Sequence, residues 1–369
     1  MKIPFLNLKA QYDNLKIDID QAIKNVISDT AFIKGKYVDT FENEFAKAYG
    51  VKHCIGVANG TDAIYIILKM LGIGSGDEVI TVANTWISSS ETITQAGAKP
   101  IFVDIEADHY CMDVSKIEEK ITPQTKAIIA VHLFGQANNI LQIKAICEKH
   151  HLFLIEDCAQ SHFTEYNNQH VGTFGIASTF SFYPGKNLGA YGDAGAILTN
   201  DAELANKMRM YAAHGSLVKH QHEIEGINSR LDGLQAAILS AKLPFIKQWN
   251  AQRIAYASLY SELLRDVKDV VTPSVRENTK HTFHLYVIRT KQRDELQSFL
   301  KTHGIETQIH YPKPLPFVKA YQYLNHTPEQ FPISYQYQSE ILSLPMYPEL
   351  TKENIEYCVS KIIDFFSTS

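Results

Sequence analysis

The sequence predicts an α/β protein built on a mostly parallel sheet, followed by a smaller α+β domain. Three observations carry that prediction. From Asp77 onward, short apolar runs alternate with helical patterns, which is the rhythm of βα units. The β-rich run Ser178-Thr-Phe-Ser-Phe182 is stopped by Pro184-Gly185 immediately before Lys186, a lysine set among glycines. The chain is 369 residues long and 45% apolar, with 18 Phe and 19 Tyr, which suits a two-domain folded protein and excludes a disordered one.

Residues 1–50 open with two helical patterns. Leu15, Ile19, Ala22, Ile23, Val26 and Ile27 share one side of the first, and the second covers Tyr37 to Ala48. Both are expected to pack outside the sheet. The apolar run Cys54 to Ala58 reads as a strand, and Gly60-Thr61-Asp62 leads from it into a helix over Ala63 to Leu71. Glycine lets the backbone approach a ligand closely, and Thr61 either caps this helix or joins its free amides in facing an anion. Strands are expected at Glu78–Val82, Pro100–Val103, Lys126–His132 and Leu152–Glu156, with helices at Ser88–Gln95 and Asn139–His150. Asp104, at a strand end, reads as a turn cap; His132, at another, stays open between a cap and site chemistry.

Ala194 to Thr199 continues the sheet, and Asp201–Ala212 and Gln235–Ala241 are helical. Pro244 and the amphipathic stretch from Ile246 mark the passage to a second domain, giving a large domain over 1–245 and a small one over 246–369. The small domain is expected to hold a long helix, a strand at Thr282–Thr290, a helix at Asp294–Thr302, the loop His310-Tyr-Pro-Lys-Pro-Leu-Pro316 and a terminal helix over Thr351–Phe365.

Composition narrows the partners. A formal charge of −5 supplies no basic field for nucleic acid. Five cysteines, an odd number without CxxC spacing, fit reduced cytosolic residues. Nothing in Met1-Lys-Ile-Pro-Phe5 resembles a signal peptide, and no apolar run approaches the roughly 18 residues of a membrane span. The expectation is a soluble cytoplasmic protein with neither nucleic acid nor membrane as partner.

The chemistry centres on Lys186. An amine at a strand end, in an apolar and partly desolvated site, loses its proton more readily and can form an imine with a carbonyl compound. Asp157 follows the buried run Leu152-Phe-Leu-Ile155-Glu156, so a carboxylate appears where burial is costly unless a cation or strong donor compensates it. It is either a structural hydrogen bonder or the partner of a protonated pyridine nitrogen. Gln160, three positions on, can hydrogen-bond a ring oxygen; Trp86 offers a flat face that either stacks on a conjugated ring or packs a core. Ser181 can turn toward a phosphate together with Thr61. A lysine for an aldehyde, a carboxylate for a ring nitrogen, an aromatic face and small donors for phosphate are together the demands of pyridoxal 5'-phosphate, PLP.

With those residues on the page, the chain resembles the sugar-nucleotide aminotransferases of the DegT/DnrJ/EryC1/StrS family, closest to those making dTDP-3-amino-3,6-dideoxyhexoses. The likeness runs from Phe5-Leu-Asn-Leu-Lys-Ala-Gln-Tyr12 to the C-terminal domain. It rests on Ala58-Asn-Gly-Thr-Asp-Ala63, Glu156-Asp-Cys-Ala-Gln160, Ser181-Phe-Tyr-Pro-Gly-Lys186-Asn and Gly226-Ile-Asn-Ser-Arg-Leu-Asp232. The resemblance implies the aspartate aminotransferase-like fold, PLP-dependent fold type I. It also implies an imine between PLP and Lys186, with Asp157 at the pyridine nitrogen, Gln160 near the ring hydroxyl and Trp86 over the ring. Gly60, Thr61 and Ser181 would bind the phosphate, assisted by Asn228 from a second subunit, which makes a homodimer the minimum working unit and Arg230 part of the intersubunit loop. L-glutamate is the implied donor, with Lys186 as general base and acid, and a dTDP-linked 3-keto-6-deoxyhexose the implied acceptor. Tyr183, Arg230, His310 and Tyr311 are the substrate-side candidates, against which the aromatic three also read as packing.

Four other readings remain at this level. Enzymes of the family that act at C4 often carry other residues before the lysine. Dehydratases on this fold carry histidine where this chain has Lys186. A metal enzyme using His132, Asp157 and His162 matches no compact ligand spacing. A non-catalytic sugar-nucleotide sensor would bind the nucleotide without transferring nitrogen.

Overall fold

The computed structural model describes residues 1–218 and 220–367. Two helices open the chain, α1 (Leu8–Asp29) and α2 (Lys36–Tyr49). An alternating series follows: β1 (His53–Val57), α3 (Gly60–Met70), β2 (Glu78–Val82), α4 (Ser88–Ala96), β3 (Lys99–Val103), β4 (Thr125–Val131), α5 (Ile140–His150) and β5 (Phe153–Asp157). A short hairpin, β6 (Glu165–Tyr166) and β7 (Gln169–His170), leads to β8 (Ala177–Ser181), β9 (Gly195–Thr199), α6 (Ala202–Tyr211), α7 (Gly233–Lys242) and α8 (Ile246–Leu263). The remainder comprises β10 (Thr279–Lys280), β11 (Tyr286–Arg289), α9 (Arg293–Thr302), α10 (Pro332–Tyr337), β12 (Ile341–Leu344) and α11 (Lys352–Ser367).

Seven strands form the central sheet in the order β1-β9-β8-β5-β4-β2-β3. The pairs from β3 through β8 are parallel, and β9 is the one reversed strand, antiparallel to both β8 and β1. Strands such as Ala127–Val131 are apolar throughout because helices cover both faces, which is what a parallel sheet requires. The register brings strand ends level: Val131 pairs with Asp157, Asp157 with Thr179, Ser181 with Gly195, and Gly195 with Val57. Backbone pairing alone therefore gathers Asp157, Ser181 and the start of the Asn59-Gly60 turn along one edge, where open α/β sheets bind ligands.

Helix α2 does more than lie outside the sheet. Phe41 and Phe45 are fully buried, and their rings pack edge-on against Phe182 at 5.3 Å, directly beneath the turn that presents Lys186. The expected strand at Thr282–Thr290 shortens to β11, because Thr282 gives its N–H to Gly135 and its carbonyl to Asn187 instead of to a strand. β11 and β12 form a two-stranded sheet whose apolar cluster includes Tyr260, Leu300 and Ile355 and recruits Ile3 from the N-terminus. Among the described residues no helix is long and apolar enough to cross a membrane.

Candidate active site

The level strand ends open into a cleft of about 490 Å³. Its floor is Asp157, almost fully buried at the end of β5. The carboxylate accepts from the Ser89 hydroxyl at 3.0 Å and from the Ala159 N–H at 3.1 Å, and it makes no ion pair among the described residues. Burial pushes its pKa up; those two donors and the charge of Lys186 oppose the rise. A buried carboxylate with only neutral donors is a poor resting arrangement and a good seat for a cation.

Lys186 lines the same cleft. The Pro184-Gly185 turn is closed by a hydrogen bond from the Lys186 N–H to the Tyr183 carbonyl at 2.8 Å, which aims the side chain inward. Its Nζ has neither hydrogen bond nor ion pair among the described residues. Burial lowers its pKa to about 8 against the pull of Asp157, which raises its neutral fraction near neutrality well above that of an exposed lysine.

The third wall is the N-terminal turn of α3. Gly60 already belongs to the helix, and the residue that caps it is Asn59, whose Oδ1 accepts from the Asp62 N–H at 2.8 Å. Thr61 is therefore not the cap. Its hydroxyl lies 2.7 Å from Ser88 Oγ, in the first turn of α4, and both residues line the cleft beside the helix end, which favours an anion. Glycine at 60 is a packing requirement: a Cβ there would sit 2.8 Å from the Ser181 Cβ.

The outer wall comes from far along the chain. Gln160 accepts from the Phe134 N–H at 2.7 Å and donates to the Tyr311 hydroxyl at 2.9 Å. Tyr311 in turn leans on Trp86, with ring centroids 5.8 Å apart. His310 binds Ser343 Oγ through Nδ1 at 2.8 Å and stacks on Phe5. Burial and then the charge of Lys186 lower its pKa to about 4, so it is a neutral ring at physiological pH. Trp86 and Tyr183 stand at the mouth, each 59% exposed.

The cleft thus gathers Lys186 and the cofactor and substrate candidates Gly60, Thr61, Trp86, Asp157, Gln160, Ser181, Tyr183, His310 and Tyr311, but neither Asn228 nor Arg230 and none of Asp104, His132 and His162. Asn228 and Arg230 line a neighbouring depression with Gly192 and Asp193, outside their own chain's cleft. The sequence reading missed Asn59, Ser88 and Ser89; the run Ser88-Ser-Ser90, one residue beyond Trp86 at a strand-to-helix junction, was the available signal. Asp104 is a cap as expected, but for α10, accepting from the Ile333 and Ser334 N–H groups at 2.9 and 3.0 Å. His132 resolves to a structural role: Nδ1 accepts from the Asn138 N–H and Nε2 meets Glu156 at 3.1 Å. Its cluster is with Glu156 and Cys158, not with Asp157 and His162. Glu156 also accepts from the Gly172, Phe174 and Gly175 N–H groups, so that cluster is already satisfied.

A buried carboxylate lacking a cation, an unpaired amine of lowered pKa, a helix N-terminus lined with hydroxyls and an aromatic face together fit PLP: Asp157 suits the ring nitrogen and the α3 turn suits the phosphate. On this α/β scaffold they define a PLP-dependent enzyme of fold type I, with a smaller C-terminal subdomain. Comparison with known proteins narrows the class. The chain belongs to the DegT/DnrJ/EryC1/StrS aminotransferase family, whose model matches residues 13–363. It is 46% identical over 368 residues to a "pleiotropic regulatory protein" of Geobacillus stearothermophilus, spanning 99% of both chains. It is 45% identical over 360 residues to the dTDP-3-amino-3,6-dideoxy-alpha-D-galactopyranose transaminase of Aneurinibacillus thermoaerophilus, spanning 98% of both. Among solved structures it superposes on S. venezuelae DesV in complex with a ketimine intermediate with a TM-score of 0.96 and 37% identity, covering 99% of this chain and 98% of that one. On NtdA of Bacillus subtilis with bound cofactor PMP the TM-score is 0.91 at 31% identity, covering 98% and 85%. The protein is a PLP-dependent sugar-nucleotide aminotransferase that takes nitrogen from an amino donor.

Proposed function

We propose that this enzyme transfers the amino group of L-glutamate to C3 of a dTDP-linked 3-keto-6-deoxyhexose, with Lys186 as the reacting amine and two copies of the chain as the working unit. The observation that carries the reading is the Lys186 amine: unpaired, in the cleft beside Asp157, and lowered to about 8. Bound PLP supplies an aldehyde for that amine and a ring that accepts the electron pair left when a C–H bond breaks.

The chain's own groups do the rest. With its amine free, Lys186 would take the proton from the donor's α-carbon on Nζ as base and then, as acid, deliver it to a different carbon, the one that carried the cofactor's aldehyde. Asp157, already destabilised by burial, gains its missing positive partner at the ring nitrogen. Gln160 has a second N–H beyond the one given to Tyr311, which suits the ring hydroxyl. Gly60, Thr61 and Ser181 would hold the phosphate, and Trp86 would offer its face to the ring. Asn228 and Arg230, outside their own cleft, are supplied to the phosphate and the sugar nucleotide by a second copy. The acceptor lies toward Tyr183, His310 and Tyr311 at the mouth. A lysine at 186 argues against sugar dehydration, and 45% identity to a dTDP-3-amino-3,6-dideoxyhexose transaminase supports nitrogen transfer at C3.

Two measurements test this. Borohydride treatment of holoenzyme, followed by peptide mapping, should place a pyridoxyl group on Lys186. PLP-loaded protein with L-glutamate should convert the dTDP-linked 3-keto-6-deoxyhexose to a sugar whose new nitrogen NMR locates at C3, with stoichiometric 2-oxoglutarate. Amination solely at C4, or only of UDP-linked acceptors, would overturn the substrate assignment while leaving the lysine in place.

A further inference from the structure

A second lysine is hidden behind the first. Lys242, the last residue of α7, is fully buried, and no carboxylate lies within ion-pair distance of it among the described residues. Its Nζ donates to the Gly189 carbonyl at 2.8 Å and lies 4.2 Å from the centre of the Tyr191 ring. Both partners belong to the loop that carries Lys186. Burial lowers the Lys242 pKa to about 8, with the more distant Glu349 as the opposing charge. A methionine would fill this space without the cost of desolvating an ammonium, so the head group needs a reason.

That reason is in how the loop is folded. Gly189 is pressed onto the turn before Lys186: a Cβ at 189 would lie 2.3 Å from the Pro184 carbonyl oxygen. The Ala190 N–H returns to the Phe182 carbonyl at 2.7 Å, closing the loop on itself. Helix α7 grips it twice from one face, since Gln235 and Lys242 are seven residues, two turns, apart. Gln235 Oε1 accepts from the Tyr191 N–H at 2.8 Å, and Lys242 donates to the carbonyl two residues earlier. From the other side Asn187 is tied to Asn250 on α8 at 2.9 Å and to the Thr282 carbonyl. Of these clamps only Lys242 reaches the residue stacked on the Pro184 turn.

We propose that Lys242 is a positioning residue for the transamination: by holding the Gly189 carbonyl it fixes the backbone turn from which Lys186 reaches the reacting carbon. This rests on Lys186 being the reacting amine. Misplacing a reacting group by about 1 Å costs roughly 100-fold in rate. Of the cofactor and sugar-nucleotide contacts named above, Ser181 and Tyr183 adjoin this turn, and the rest lie on other elements, so binding is carried mostly away from it. Loss of the Lys242 contact should therefore fall on kcat rather than on KM.

The test uses holoenzyme of the wild type, Lys242→Met, which keeps the bulk and removes the donor, and Lys242→Gln, which restores a neutral donor. Borohydride labelling of wild type reads the Lys186 assignment by itself; no label on Lys186 there would overturn both readings. With labelling intact in all three proteins, we expect K242M to lose about 10- to 100-fold in kcat per labelled site, to keep the KM for sugar nucleotide within about twofold, and to shift the pH midpoint of the cofactor absorbance band. K242Q should recover most of the rate. An unchanged kcat per labelled site in K242M, or a loss fully accounted for by lower labelling, would overturn the proposal and leave Lys242 a packing residue. If K242M fails to fold, the same kcat, KM and absorbance readouts on K242Q decide it: wild-type KM and rate within about threefold support a donor role, and a raised KM with kcat unchanged refutes it.

Discussion

The inner and outer walls of the cleft are built on different terms. On the inner wall, Asp157 and Ser181 stand at strand ends whose heights are set by backbone pairing, and the Asn59-Gly60 turn is pressed against β9, where a Cβ on Gly195 would lie 2.4 Å from the Asn59 carbonyl carbon. On the outer wall, Tyr311 and His310 arrive on a loop some 150 residues later in the chain, bridged by backbone at Gln308 and Ser343, and their side chains are placed by hydrogen bonds, Gln160 to Tyr311 at 2.9 Å and His310 to Ser343 Oγ at 2.8 Å, and by ring contacts with Trp86 and Phe5. Continuous strand pairing sets the level of one wall's residues, whereas isolated backbone bridges and side-chain contacts place the other's. Chemistry common to a class of enzymes belongs on the first and substrate choice on the second.

The sharpest way to break that contrast is at Asp157. Asp157→Asn preserves shape and the Ser89 contact but removes the charge that would pair with the ring nitrogen. Losing one member of a buried charged pair costs about 3–5 kcal/mol, so the glutamate half-reaction should slow by roughly 100- to 5000-fold in single-turnover absorbance measurements. The far-ultraviolet circular dichroism should be unchanged. A loss of less than about fivefold would mean that the inner wall does not carry the chemistry assigned to it.

Tyr311→Phe probes the outer wall. It deletes one neutral hydrogen bond to Gln160, worth about 1 kcal/mol, or roughly fivefold. The loss should appear as a higher KM for the sugar nucleotide, with the glutamate half-reaction nearly untouched. An equal loss in both half-reactions would show that Gln160 transmits the change to the cofactor and that the walls are not separate.

The same division explains what the sequence could tell. Lys186, Asp157 and Ser181 were legible because a strand followed by a break at a chemically unusual residue is a local signal. Asn59 went unread as the cap, and Thr61 stayed open between cap and anion contact, because helix α3 starts three residues before its apolar pattern does; the first turn lines the cleft. Ser89 on Asp157 and Phe134 on Gln160 are pairs of residues 68 and 26 positions apart, which periodicity does not reveal. The shortened β11 has the same origin, since the Thr282 backbone bonds that would have extended it go to Gly135 and Asn187, far away in sequence.

The smallest effect separates the walls by sign. Burial, and then the charge of Lys186, hold His310 near 4, and burial holds His162 near 3, both below the ordinary 6.5. Between about pH 6.5 and 4 the unfolded apoprotein therefore binds more protons at these histidines than the folded one, and stability falls as pH falls through that window. Asp157 acts in the opposite direction. Its folded pKa is raised above 3.8 by burial, so the folded state holds that proton more tightly, and acidification through the lower part of the window favours folding. In thermal melts of apoprotein, the midpoint should drop between pH 6.5 and 4. Substituting His310→Gln should flatten the drop, because one proton-binding difference disappears, whereas Asp157→Asn should steepen it, because the compensating one does. Slopes that change in the same direction in both variants would show that the two walls do not carry opposite charge linkages.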